Sequence, residues 1–116
     1  LIDVYPPSEG FPEGFHLPLE DSIQRVRFRQ GYEFEDFMKP GQIYQVNIEL
    51  PPVSNLFVKG HRIRIDIASS NFPRFDVNPN TGEPIGQHTG SEVATNTVYT
   101  NKDAPSHILL PVVPID

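Results

Sequence analysis

The chain has 116 residues, enough for one domain and too few for two ordinary ones. Fifteen acidic against nine basic side chains leave a net charge of −6, which gives no electrostatic reason to bind nucleic acid or an anionic membrane. The absence of cysteine excludes disulfides, thiolate chemistry and Cys-based zinc or iron–sulfur sites, and no apolar run approaches the ~20 residues of a membrane helix.

Leu1-Ile2-Asp3-Val4-Tyr5 alternates and stops at Pro6-Pro7, so it reads as the end of a strand. Residues 6–22, rich in Pro, Gly and acidic side chains, read as a long connection. Ile23 to Arg29 reads as a strand with Val26 and Phe28 on one face and Arg25, Arg27 and Arg29 on the other. A loop over 31–38 carries Tyr32, Phe34 and Phe37. Lys39-Pro40-Gly41-Gln42 predicts a type II turn, with Pro at i+1 and Gly at i+2.

Residues 43–50 give a clear strand pattern, Tyr44, Val46, Ile48 and Leu50 alternating with Gln45, Asn47 and Glu49 before Pro51-Pro52. Gly60 then turns the chain into His61 to Ile67, where Ile63, Ile65 and Ile67 oppose Arg62, Arg64 and Asp66. A polar region follows over 69–92. Further strands are expected over 93–100, where β-branched residues dominate, and over 108–113, interrupted at Pro111 and so placed at an edge. No helical periodicity and no repeat is visible. The pattern predicts an all-β chain of about six strands, packed as two antiparallel sheets with arginines and carboxylates on the wet faces.

Catalytic chemistry finds little support. No G-x-S-x-G occurs, Ser69 and Ser70 stand where a strand ends, and Ser106 and His107 are strand neighbours that point to opposite faces. His61 reads as structural. Asp76, Asn78 and Asn80 resemble the start of a calcium loop, but Thr81 and Gln87 stand where an EF-hand needs Gly and Glu, so Asx turns are the simpler reading. The four histidines show no zinc spacing. No catalytic residue, metal or other cofactor is expected. Phe72-Pro73-Arg74-Phe75 puts two aromatics and an arginine in a loop, where exposure would be wasteful unless they fold back or pack on another surface. Phe11, Phe15, Phe34 and Phe37 raise the same question.

The segment KGHRIRIDIASSNFPRFDVNPNTG resembles the signature of the C-terminal β-sandwich of X-Pro dipeptidyl-peptidases, cocaine esterase, α-amino acid ester hydrolases and related acyl esterases. LIDVYPP, MKPGQIYQVNIELPPVSNLFVKG, ATNTVYTN and APSHILLPVVP fit the same pattern in the same order. The resemblance implies a jelly-roll domain, galactose-binding-like in shape, attached to an α/β-hydrolase that holds the Ser-Asp-His triad. Gly60, His61, Arg62, Ser69, Ser70, Phe72, Pro73, Asp76 and Asn78 carry over as parts of the signature, with a structural role. Phe72, Arg74 and Phe75 are candidates for the surface that docks on the hydrolase domain.

The family's domain has further strands ahead of the position of Leu1, so residues 1–116 are expected to form a partial sandwich whose open edges invite self-association. The expected role is non-catalytic support of the hydrolase domain of the same protein. A carbohydrate-binding module is the rival, weakened by the absence of Trp, and an autonomous hydrolase is the third reading. Whether the parent cleaves esters or X-Pro peptides is not legible, and neither is localisation, for which the cytoplasm is favoured.

Overall fold

The computed structural model describes residues 1–114. Strand β1 (Ile2–Tyr5) is the middle of a three-stranded antiparallel sheet, between β2 (Phe15–Pro18) and β3 (Arg62–Arg64). Asp3 stands opposite Leu17 on one side and Ile63 on the other, and Val4 stands opposite His16 and Arg62. Side chains alternate across a sheet, so Asp3, Tyr5, Phe15, Leu17 and Ile63 share one face, and Ile2, Val4, His16, Arg62 and Arg64 share the other. Among the described residues only Asp3 and Val4 are buried. Both lie on the central strand, which has neighbours on both edges.

The β1–β2 connection is fixed by a turn in which the Gly14 N–H donates to the Phe11 carbonyl at 2.9 Å. Gly14 has φ of 82°, and a Cβ there would meet the Tyr5 carbonyl oxygen at 2.6 Å. Only glycine accepts both demands. The turn brings Phe15 beside Tyr5, ring centroids 5.9 Å apart and edge-on, with Phe11 stacked on Phe15 at 5.0 Å. Phe11 and Phe15, expected in a loop, thus fold back along the sheet, and β2 is a strand where a connection was expected.

The all-β character holds: one sheet, one short 3-10 turn and no α-helix are present among the described residues. The number of strands is smaller than the alternation predicts. Residues 43–50, 93–100 and 108–113 form no strand, apart from a bridge between Thr100 and Pro105, and the 61–67 strand contracts to Arg62–Arg64. Alternation states which face a segment would bury, and a ladder needs in addition a neighbour about 4.8 Å away. Residues 43–47 show the distinction. Tyr44 and Val46 are half-buried between exposed Ile43, Gln45 and Asn47, yet no partner strand lies beside them.

The 23–29 segment departs furthest. Val26–Phe28 is a 3-10 turn, and Arg27 and Arg29 do not line a solvated strand face. Their side chains are only 9% and 4% exposed, so their charges must be matched locally. Arg27 pairs with Glu35 at 2.9 Å and lies 4.8 Å from the centre of the Phe37 ring. Arg29 pairs with Asp36 and lies 4.5 Å from the centre of the Tyr44 ring. Two guanidinium groups sandwiched between carboxylates and aromatic faces therefore order the 33–44 loop. The predicted turn at 39–42 closes that loop, the Gln42 N–H donating to the Lys39 carbonyl at 3.2 Å.

The chain divides into two compact units, Leu1–Ala68 and Ser69–Asp116. The second is built from turns. Asn101 Oδ1 accepts the N–H groups of Asp103 and Ala104 at 3.1 and 2.9 Å, and the Ser106 N–H donates to the Tyr99 carbonyl at 3.1 Å. Asn80, at φ of 60°, donates from its side chain to the Glu92 carbonyl at 2.9 Å, and the Glu92 N–H donates to the Pro79 carbonyl at 2.8 Å. These bonds tie the two ends of the 80–92 loop together. No helix among the described residues is long and apolar enough to cross a membrane.

Gly14→Ala tests the packing of the first turn. The added methyl has no room beside Tyr5, so thermal unfolding should show a loss of about 2 kcal/mol. An unchanged melting curve would show that the turn is looser than described.

Candidate functional site

The Asp3 carboxyl is completely buried, and burying such a group is costly unless donors meet it. Two do. Asn55 Nδ2 donates to Oδ2 at 3.0 Å, and His61 Nδ1 meets Oδ1 at 2.9 Å. A carboxylate only accepts, so the imidazole is the donor and its Nδ1 carries the proton. The pairing with β3 explains how His61 arrives. Val4 stands opposite Arg62, so continuing that register by one step sets His61 opposite Tyr5, one diagonal from Asp3. The Tyr5 and His61 ring centroids are 4.1 Å apart, and the His61 side chain is 9% exposed.

The turn before β3 delivers the histidine. The His61 N–H donates to the Val58 carbonyl at 3.0 Å, with Gly60 at φ of 95°. Gly60, His61 and Arg62 of the signature thus have separate duties: the turn, the ligand to Asp3 and the first residue of β3. Arg62 and Arg64 lie on the opposite face, where Arg64 pairs with Asp66 at 2.7 Å and its Nη1 approaches His16 Nδ1 at 3.2 Å.

An aspartate bonded to a histidine is also the orienting half of a hydrolytic triad. The remaining requirement is a nucleophile at the imidazole. Among the described residues the hydrogen-bond partners of His61 are Asp3 and the Val58 carbonyl, with the Tyr5 ring against the imidazole. The arrangement holds chain segments together.

In the second unit Ser69, Ser70 and Asn78 make local hydrogen bonds. Ser69 Oγ accepts from Asn96 Nδ2 at 3.1 Å, and Ser70 Oγ accepts from the Phe72 N–H at 3.4 Å. Phe72 is 71% exposed, ahead of a cis bond to Pro73, while Phe75 is half-buried with the Arg74 guanidinium 5.6 Å from its ring centre. Asn78 Oδ1 accepts from the Asn80 N–H at 3.4 Å, the local geometry of an Asx turn, and Asp76 is exposed. No group of three His, Cys, Asp or Glu residues that could hold a metal ion occurs among the described residues. His107 Nδ1 bonds the Pro105 carbonyl at 2.8 Å.

A shallow depression of about 550 Å³ is lined by Val77, Pro79, His88, Thr89, Gly90 and Ser91. Beside it Glu83 organises the loop, accepting from the Thr89 N–H at 3.2 Å and from the Thr89 hydroxyl at 3.0 Å. Hydrogen bonds from Thr81 and then Thr89, with the His88 charge adding, hold the Glu83 carboxyl below the usual glutamate range, against a small opposing effect of burial.

Asp3, Asn55 and Glu83 escaped the sequence reading. Asp3 and His61 did leave a signal. Asp3 has apolar next-but-one neighbours on both sides, Leu1 and Tyr5, and His61 leads into the apolar row that continues at Ile63. Two polar residues on the apolar rows of two strands are candidates to pair. Asn55 and Glu83 lie in irregular segments, where no periodicity marks them.

Residues 1–109 match the family described as X-Pro dipeptidyl-peptidase C-terminal non-catalytic domain. The chain is 39% identical over 115 residues to cocaine esterase of Rhodococcus sp. (strain MB1 Bresler), a match covering 97% of this chain and 19% of that protein. It is 29% identical over 113 residues to "Putative serine esterase Mb1866c" of Mycobacterium bovis, covering 91% of this chain and 16% of that protein. "Putative serine esterase MT1883" of Mycobacterium tuberculosis gives the same figures, 29% over 113 residues. The chain therefore spans less than a fifth of the length of these relatives. No solved structure matches it.

Two outcomes follow from the geometry. Asp3→Ala strands the Asn55 and His61 donors and should cost about 3–5 kcal/mol in denaturant unfolding, with Asp3→Ala/His61→Ala costing clearly less than the sum of the single variants. Additive losses would mean the two residues act separately. For Glu83, a carboxyl held below its unfolded value contributes stability above the ordinary glutamate range, and that contribution is lost as pH falls through the folded value. NMR titration of the Thr89 amide should show the loop loosening only in that acid window, and Glu83→Gln should remove the transition.

Proposed function

The chain belongs to the family of X-Pro dipeptidyl-peptidase C-terminal non-catalytic domains, and from that membership we propose that it is the accessory β-domain of a larger serine hydrolase. Its role is to pack against the catalytic α/β-hydrolase domain of the same protein and hold it in its working form. The observation that carries this reading is the match to a non-catalytic family over residues 1–109, nearly the whole chain. The esterase relatives, of which the chain spans only a fifth or less, support a parent that hydrolyses acyl esters, and the family description supports one that cleaves X-Pro peptides. The jelly-roll arrangement of the complete domain, and self-association through open sheet edges, belong to the same proposal.

The docking surface in this reading centres on Phe72. An aromatic ring 71% exposed on a loop is poorly placed for a domain standing alone, and its neighbours Arg74 and Phe75 add a cation and a second ring. Anchors of this kind carry much of the energy of protein interfaces. The polar ends of the same loop, Ser69 and Ser70, are engaged in its own backbone and with Asn96, which leaves the ring as the outward feature.

Phe72→Ser/Phe75→Ser in the full-length enzyme is the test. The isolated domain should keep its secondary structure, while the parent should melt earlier and lose activity on heating sooner. Melting and kinetics indistinguishable from the unsubstituted enzyme would remove these residues from the interface.

A further inference from the structure

The outer edge of β3, together with Ile65–Ile67 just beyond it, is self-complementary when reversed. Ile63-Arg64-Ile65-Asp66-Ile67 places isoleucine at both ends and the centre, and opposite charges at mirror positions. β1 covers one side of Arg62–Arg64, and no strand covers the other among the described residues. The three isoleucines are 50%, 42% and 63% exposed. Arg64 at the end of β3 and Asp66 just beyond it, both about half exposed, satisfy each other at 2.7 Å.

We propose that this edge is an interaction surface for a second copy of the same chain, paired antiparallel about a two-fold axis through Ile65, and that pairing extends β3 past Arg64 through Ile67. The proposal rests on the self-association reading above and names its edge and register. In that register Ile63 faces Ile67 of the copy and Ile65 faces Ile65, which joins the two apolar rows into one. On the other face Arg64 meets Asp66 and Asp66 meets Arg64, exchanging the one internal ion pair of each copy for two across the axis. Arg62 meets Ala68, so no like charges collide. Moving the centre by one residue to Arg64 sets arginine opposite arginine, which disfavours the neighbouring register. The other edge of the sheet, β2, is a poorer acceptor: it ends at Pro18, which has no N–H, and its residues Phe15, His16 and Leu17 offer no charge complementarity to themselves.

Sedimentation equilibrium of the 116-residue chain over a concentration series tests the surface, with circular dichroism as the control for folding. The chain should reach twice the 13.1 kDa mass of one copy. Arg64→Asp and Asp66→Arg, each placing like charges opposite one another twice, should each weaken the dimer by at least about tenfold. The double swap Arg64→Asp/Asp66→Arg restores opposite charges in the same register and should restore the dimer. A chain that stays monomeric, a dimer indifferent to the single changes, or a double swap that fails to rescue would each overturn the proposal. Hydrogen exchange on the full-length parent separates another occupant: protection of 63–67 in a monomeric parent assigns the edge to a strand of the same polypeptide and also overturns it. The Phe72 and Phe75 substitutions report on interdomain packing alone, so failure of one reading is distinguishable from failure of the other.

Discussion

A carboxyl group with no contact with water sits at the centre of the sheet, and much of the first unit is arranged to satisfy it. Asp3 lies on the middle strand, fully covered, with Asn55 and His61 as its donors. A buried carboxyl that loses a donor costs several times what an ordinary hydrogen bond contributes, so the positions of both donors are tightly constrained. Because His61 immediately precedes β3, its bond to Asp3 also sets the register of β3 on β1. A slip of one residue would carry His61 to the opposite face and leave Asp3 unmet. The Gly60 turn, the Tyr5–His61 ring contact and the Asn55 contact all belong to this one constraint.

The same physics recurs a few residues further along the chain. Arg27 and Arg29 are withdrawn from water, and each is matched by a carboxylate and an aromatic face drawn from the 35–44 segment. Where apolar burial is sparse, as it is here, partnered charges give loops a defined shape. They do so by specifying which segments meet rather than by adding large net stability. Glu83 plays the equivalent part for the 80–92 loop, gathering the backbone and hydroxyl of Thr89.

What the sequence made legible follows from this division. Local rules transferred well: the end of β1 at Pro6-Pro7, the turn at 39–42 and the Asx-type bond at Asn78 appear as expected. Partner-dependent statements transferred poorly. Residues 43–50 keep part of their alternation without becoming a strand, and within 23–29 Val26–Phe28 folds as a 3-10 turn, Arg27 and Arg29 having carboxylates and rings close by in sequence. The family signature was readable because its residues carry distinct local tasks at fixed spacing, with Gly60 turning and His61 reaching Asp3. Asp3 was overlooked because a single acidic residue in an alternating strand is usually read as its wet face. Its pairing with a residue 58 positions away cannot be seen until the strands are laid side by side.

The Asp3–His61 pair also shows why a motif-level likeness to catalysis misleads. It holds the orienting half of a hydrolytic triad in good geometry, with the imidazole against a tyrosine ring. Membership of a non-catalytic family fits that arrangement. The most direct test of this account is the protonation of the His61 ring followed by nitrogen-15 NMR. The account predicts a proton resident on Nδ1, exchanging slowly with solvent and lost from slow exchange when Asp3 is replaced by alanine. A ring that carries its proton only on Nε2, or that exchanges as freely as an exposed histidine, would contradict it.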